Sequence, residues 1–369
     1  MKINKKAKIA ITSTSGDNIF GNGLGQNIWF LHRMLKDIGY DVELVSESSD
    51  IASKKFLNEE IKHLTPESVK QYNLVLEVAN PLNEAVHISL KNSGGVNVLI
   101  QYGNKLLIDM EWMLRNETKH SPIKERTIDE MWCSPHYEFS APALSILNDT
   151  EVKICPYIWS PEIVTWSYMS SGVNPFFSEK TNINDIAIME SNLHVVKMAA
   201  IPMIICDGVY KKRPDLINTV YVFGSLILKD SSHFTNFASR LQLKKDKKMF
   251  FEHRYALNFI LSKGYGGLIV SHQWENQLNY LQLEAMHYGV PFVHNSTFFK
   301  DYGYYYDYFD AKQGVEKTIE AIENHKNVFR GEQERNNEKL WEFNPKNPKN
   351  IQGYVELIEN ILDTKVSFS

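Results

Sequence analysis

The sequence predicts an α/β protein made of two consecutive parallel-sheet halves. Three observations carry that expectation. Short apolar runs alternate with helical patterns along most of the chain, the order that lays helices against parallel strands. The alternation stops once, from Trp159 to Asn184, and then resumes. The length of 369 residues suits two domains of roughly 100–200 residues, each able to bury its own core.

In the first half, 8–12 reads as a strand and 16–25 as a glycine-rich loop. A helix over 27–38 follows, stopped by Gly39, the residue type that best tolerates a left-handed cap. Strands are expected at 42–45, 74–77, 96–100, 130–133 and 152–155, separated by helical stretches near 82–91, 106–115 and 136–147. The Ser-Pro, Ser-Ser-Gly and Asn-Pro pairs that follow mark a turn-rich linker without a period. The second half reads as strands at 186–189, 203–205, 220–223, 249–251, 268–270 and 291–293. Beyond Asp310 the pattern is helical, with Val315, Ile319 and Ile322 on one face and a closing helix over 351–362. The architecture is therefore two Rossmann-like halves in tandem. Ligands of such sheets sit outside the strand C-termini, which predicts a site in a cleft between the halves.

Composition narrows the function. With 43% hydrophobic and 23% charged residues the chain is an ordinary globular protein, not a disordered or fibrous one. No apolar run approaches the roughly 18–20 residues of a membrane span. Residues 1–6 lead straight into a strand rather than a signal-peptide core, which predicts a soluble cytoplasmic protein. Cys133, Cys155 and Cys206 lie far apart, with no zinc-ligand spacing, and read as small buried side chains. A net charge of −4 argues against non-specific coating of nucleic acid but leaves room for a local basic groove.

Two segments carry chemistry. Ser15-Gly16-Asp17-Asn18-Ile19-Phe20-Gly21-Asn22-Gly23-Leu24-Gly25 joins a strand to a helix start, where free N–H groups and the helix dipole favour an anion. Gly23 and Gly25 are its candidates for close backbone approach; a flexible surface loop is the bland alternative. The glycine spacing fits neither a dinucleotide fingerprint nor a phosphate-binding P-loop. The second segment runs from Ser271-His272-Gln273-Trp274-Glu275-Asn276 through Asn279-Tyr280 to Leu283-Glu284-Ala285-Met286-His287-Tyr288-Gly289-Val290-Pro291. A buried strand feeds a polar turn, then a helix with Glu284 two turns down it. A diphosphate at the helix start would leave Glu284 to accept both ribose hydroxyls. The bland alternative is a Glu that solvates one face of a core helix.

Leu283-Glu284-Ala285-Met286-His287-Tyr288-Gly289-Val290-Pro291 resembles the nucleotide-sugar signature of GT-B glycosyltransferases, a Glu-x7-Glu pattern whose second Glu binds the ribose. Glu284 matches that Glu. Asn276 stands at the first Glu, with Glu275 one residue early. In 189–197 the resemblance extends to an Arg-x4-Lys diphosphate clamp: Lys197 matches the Lys, Asn192 stands at the Arg, and Arg254 is a candidate replacement. Stretches including His272, Asn279-Tyr280 and 291–296 also resemble a family of GT-B-like proteins found in phages and bacteria.

The resemblance implies an acceptor-side half at 1–160, a linker at 161–184, a nucleotide-sugar half at 185–345 and a helix at 346–369 packing back on the first half. It implies a UDP-sugar donor, UDP-glucose first, with no metal or other cofactor required. Hydroxymethylated pyrimidine in double-stranded DNA, such as 5-hydroxymethylcytosine in a phage genome, is the leading acceptor; the cytoplasm is then that of a host cell. A cell-surface glycan or small metabolite is the alternative acceptor, and a non-catalytic nucleotide-sugar-binding protein is the alternative function. An inverting enzyme would need a base from the first half, for which Asp17, Glu77 and His136 are the positional candidates. A retaining enzyme would need none.

Overall fold

The computed structural model describes residues 7–19, 23–78, 80–115 and 128–366. It divides into two compact units, one formed by Met1–Ser160 with Trp341–Ser369, the other by Pro161–Leu340. In the first unit the strands are β1 (Lys8–Thr12), β2 (Asp41–Ser46), β3 (Lys55–Phe56), β4 (Glu59–His63), β5 (Leu74–Glu77), β6 (Val96–Gln101), β7 (Glu130–Cys133) and β8 (Glu151–Ile154). They form one sheet ordered β3-β4-β2-β1-β5-β6-β7-β8, parallel except for the β3–β4 pair. β5, β6 and β7 are buried at every residue, as parallel strands between helix layers must be.

The second unit holds β9 (Asp185–Ile188), β10 (Thr219–Val222), β11 (Met249–Phe251), β12 (Leu268–Val270), β13 (Phe292–His294) and β14 (Tyr304–Tyr305). All pair in parallel in the order β11-β10-β9-β12-β13-β14. The order reverses between β9 and β12, so the loops leaving those two strands diverge and open a crevice at their C-terminal ends.

Several expectations are corrected. The apolar run 203–205, expected as a strand, lies inside the helix Ala200–Lys212. A run of three apolar residues has the same periodicity in a buried helix as in a buried strand. The expected linker at 161–184 belongs to the second unit and contains the helix Glu162–Ser171. The chain returns to the first unit at Trp341, inside the long helix Ala311–Glu342. There the closing helix Pro348–Val366 places the Tyr354 hydroxyl 2.9 Å from the Pro156 carbonyl, to which it donates. The first long helix spans Gly23–Ile38, so Gly23 and Gly25 sit in its first turn rather than in a loop. Gly21 and its neighbours at 20 and 22 lie outside the described residues.

Candidate functional site

The crevice between β9 and β12 is built around one carboxylate. Glu190 follows β9 and is 1% exposed. Its Oε1 accepts the Ser271 hydroxyl at 2.7 Å and the His272 N–H at 3.2 Å; its Oε2 accepts the Gln273 side-chain amide at 2.6 Å. These bonds clamp the turn after β12 to the loop after β9. Burial pushes the Glu190 carboxyl up to about 7, against the opposing pull of the Ser271 bond and the Lys197 charge.

From Gln273 the clamp extends outward. Its Oε1 accepts the Asn276 amide at 2.6 Å, and its backbone N–H and C=O exchange hydrogen bonds with the Asn295 side chain, both at 2.9 Å. The Trp274 N–H donates to the Val196 carbonyl at 3.1 Å, tying the turn to the short helix Val195–Lys197. Glu275 adopts a left-handed φ of 48°, a costly conformation for a side chain other than glycine. On the other side, Gly224 has φ 70°, and a Cβ there would stand 2.7 Å from the Glu190 carbonyl oxygen.

Three groups of opposite charge share this end of the sheet. Lys197 is half-buried, and its ammonium is held below its usual range by desolvation; Glu190 opposes that shift and Arg254 adds to it. Glu284 sits in the second turn of the helix Tyr280–Tyr288, which Gly289 ends at φ 67°. Burial pushes its carboxyl up to about 8, with the Arg254 guanidinium pulling the other way. The Arg254 guanidinium therefore lies within electrostatic reach of both Lys197 and Glu284: two cations suited to a diphosphate and one carboxyl suited to hydroxyls.

The other donor-side candidates divide. Asn192, at the clamp's Arg position, builds the loop. Its amide donates to the carbonyls of Glu190 and Gly224, and its Oδ1 accepts the Ala199 N–H at 2.9 Å where the helix Ala200–Lys212 starts. Asn279 caps the helix Tyr280–Tyr288 by accepting the Leu281 N–H at 3.3 Å, and Tyr280 is 7% exposed, a core side chain. Glu284 lies just past one turn from that helix start, not two. His272 is buried, with its Nδ1 2.9 Å from the Tyr306 hydroxyl. That hydroxyl donates its proton to the Ser271 carbonyl at 3.0 Å, so Nδ1–H is the donor to it and Nε2 carries the lone pair. Nε2 has no hydrogen-bond partner among the described residues.

The candidates in the first unit stand at strand ends but do not form such a network. Asp17 is exposed and 2.6 Å from Lys54, whose hydrogen bond holds its carboxyl below the usual range. Glu77, fully buried, accepts the Leu82 N–H at 2.9 Å and the Asn97 amide at 2.8 Å. His136 is 4% exposed, its ring 3.8 Å from Tyr137 and edge-on to Tyr157. Of the second unit's two basic runs, Lys211, Lys212 and Arg213 pair with Asp207, with Glu316, and with Asp215 and Glu323, whereas in 244–248 Lys244 stands 4.4 Å from the Phe251 ring and Lys248 donates to the Ile217 carbonyl at 2.8 Å. Among the described residues, no three His, Cys, Asp or Glu side chains converge on a metal-sized site, and no helix is long and apolar enough to cross a membrane.

Sequence reasoning missed Glu190, Asn295 and Tyr306 as parts of the site. The one available signal was position: Glu190 stands two residues beyond β9, where the strand order reverses.

These two units have the GT-B fold, shown by solved structures of low identity. HepE of Anabaena, crystallised with UDP and glucose, is 12% identical with a TM-score of 0.57, covering 96% of this chain and 99% of that one. An alpha-glucosyltransferase in complex with UDP and a 13-mer DNA containing a HMU base is 14% identical, with a TM-score of 0.54 and coverage of 91% and 94%. A mutant O-GlcNAc transferase of Thermobaculum terrenum is 9% identical, with a TM-score of 0.58 and coverage of 99% and 70%. The chain belongs to the family described as protein of unknown function DUF2827, whose model matches residues 8–358. No curated protein matches the sequence.

Two predictions come from this geometry. Glu190→Ala leaves the Ser271 hydroxyl and the Gln273 amide without their acceptor, and should destabilise the protein by about 1–3 kcal/mol in urea unfolding; an unchanged midpoint would remove Glu190 from its central place. The second concerns pH. Burial holds His32, His272, His287, His294 and His325 at about 4 instead of 6.5. Between pH 6.5 and 4 the unfolded chain gains protons that the native protein refuses, so these histidines contribute stability that is lost as pH falls through that window. Glu190 and Glu284 act oppositely, weakening the fold as pH rises from about 4.5 toward 7 and 8. Burial raises Asp185 and Glu332 as well, but five histidines outweigh four carboxyls below pH 6.5, so thermal midpoints should rise from pH 4.5 to 6.5 and then level or decline. A midpoint that climbs steadily to pH 8 would contradict this.

Proposed function

We propose that this protein is a nucleotide-sugar-dependent glycosyltransferase that uses UDP-glucose as donor. The observation that carries the reading is the joint placement of Lys197, Arg254 and Glu284 around a rigid polar turn where the strand order reverses. In this reading Lys197 and Arg254 hold the diphosphate, and Glu284 accepts the ribose hydroxyls. His272 supports the turn from beneath, with its Nε2 buried, and Asn276 and Glu275 line the sugar side. HepE with UDP and glucose, and the DNA-bound alpha-glucosyltransferase with UDP, support the donor class.

The transfer follows from that arrangement. An acceptor hydroxyl attacks the anomeric carbon, the bond from that carbon to the diphosphate oxygen breaks, and UDP leaves with the electron pair. Lys197 and Arg254 take up the charge that grows on the leaving phosphate. In an inverting reaction the hydroxyl proton passes to a protein base. Asp17, Glu77 and His136 are the positional candidates for that base; Asp17 is the exposed one, but its pair with Lys54 weakens it as a base. In a retaining reaction the leaving phosphate takes the proton.

For the acceptor, hydroxymethylated pyrimidine in DNA is supported by the neighbour bound to HMU-containing DNA. A glycan acceptor is favoured by a different observation: the acidic partners of Lys211, Lys212 and Arg213 leave less positive charge for a polyanion.

The test is UDP release from UDP-glucose and other UDP-sugars, with hydroxymethylated DNA, with oligosaccharides and with neither. Release stimulated by DNA supports the first acceptor, and release stimulated by sugar supports the second. No release from any donor favours a non-catalytic binding protein. Glu284→Ala should weaken donor binding by about 1–3 kcal/mol, because the ribose hydroxyls lose their acceptor. In calorimetric titration of UDP-glucose, unchanged affinity with lowered stability would mark Glu284 as structural.

A further inference from the structure

Among the described residues, one face of the second unit's sheet is left open over β10 and β11. Val220 and Val222 point to the buried face, while Tyr221 points the other way. Tyr221 pairs in register with Phe250, their rings 6.0 Å apart and 28° from parallel. Tyr265 lies 5.2 Å from Tyr221. Through the buried Phe223 the strip continues to Tyr255 and Phe259, whose rings are 5.2 Å apart. The helix Leu257–Ser262 covers the neighbouring part of the sheet, where Ile260 packs with Ala187 and Phe223. It does not cover the strip: Phe250, Tyr255, Phe259 and Tyr265 are each about two-fifths exposed. A parallel sheet ordinarily has both faces buried, so an open aromatic face calls for an occupant.

The charges around the strip limit what that occupant is. Asp185 and Glu252 lie close enough to Tyr221 to raise its phenol, after burial itself. The Lys263 ammonium stands 5.8 Å from the Phe259 ring, and Arg254 precedes Tyr255 in the chain. Lys248 also acts on Asp185, so two acids face three bases; with Lys248 already donating to the Ile217 carbonyl at 2.8 Å, little positive charge is left to hold a polyanion. An apolar partner would bury carboxylates and phenol hydroxyls without partners, at a cost. A sugar chain meets both demands: its C–H faces stack on the rings, and its hydroxyls bond to the surrounding acids and phenols.

We propose that the strip formed by Tyr221, Phe250, Tyr255, Phe259 and Tyr265 binds a neutral oligosaccharide. Tyr255 follows Arg254 in the chain, so a glycan acceptor on the strip would lie near that donor-binding cation. The proposal does not rest on the glycosyltransferase reading, because binding is measured without a donor.

The experiment is calorimetric titration of the full chain with maltohexaose, cellohexaose and chitohexaose. At least one should bind, and the double variant Phe250→Ala, Tyr265→Ala should bind it about tenfold more weakly or worse, as two lost stacking contacts predict. The thermal midpoint should hold. UDP-glucose titrated in parallel reports the donor reading separately and should be unaffected by the double variant. Three results would each overturn the proposal: no binding of any of the three sugars, equal binding by the double variant, or a wild-type dimer in sedimentation that the double variant abolishes. The last would make the strip a contact between two copies of this chain.

Discussion

The second unit depends on a buried carboxylate. Taking Glu190 out of water is unfavourable by itself, and three donated hydrogen bonds with the nearby Lys197 charge offset that cost. The result is a turn whose conformation is set before any ligand arrives. Ser271, His272 and Gln273 are held by Glu190, Gln273 also by Asn295, and Trp274 by the Val196 carbonyl. A ligand entering such a site does not have to order it, and that saved entropy appears as affinity. The close approach of Gly224 to the Glu190 backbone belongs to the same device, since any side chain there would push the two loops apart.

The tyrosine-rich stretch 302–309 supports this device from behind. Tyr306 is fully buried and fixes both the Ser271 carbonyl and the His272 ring, which leaves the histidine one acceptor nitrogen. Tyr304 bonds instead to His325, whose other nitrogen meets the Gly289 carbonyl where the helix carrying Glu284 ends. The stretch thus packs two parts of the candidate site. Asn192 and Asn276 also take on a different meaning. They occupy positions where the resemblance expects charge, yet both are built into the scaffold by their own hydrogen bonds. Their neutrality is therefore weak support for a decayed enzyme.

Much of the fold was legible because parallel strands buried on both faces read as continuous apolar runs. That signal located β5, β7 and β12 closely. It failed where the chemistry is ambiguous. Residues 203–205 look the same in a helix core, and the charged strand β4 and the tyrosine pair of β14 carry no apolar run at all. At the candidate site, motif spacing singled out Glu284 and Lys197, because spacing along a helix or loop is local. Glu190 was not, since its partners lie more than 80 residues away in sequence. Nor could spacing show that Asn279 and Tyr280 serve the helix cap and the core.

Under the proposed function, the second unit recognises the nucleotide through the loop after β9 and the turn and helix after β12. Hydrogen–deuterium exchange with and without UDP tests it most directly. The account predicts slowed exchange concentrated in peptides covering 190–199 and 271–284, with the strands themselves unchanged. Slowed exchange confined to the first unit, or none at saturating UDP, would contradict it.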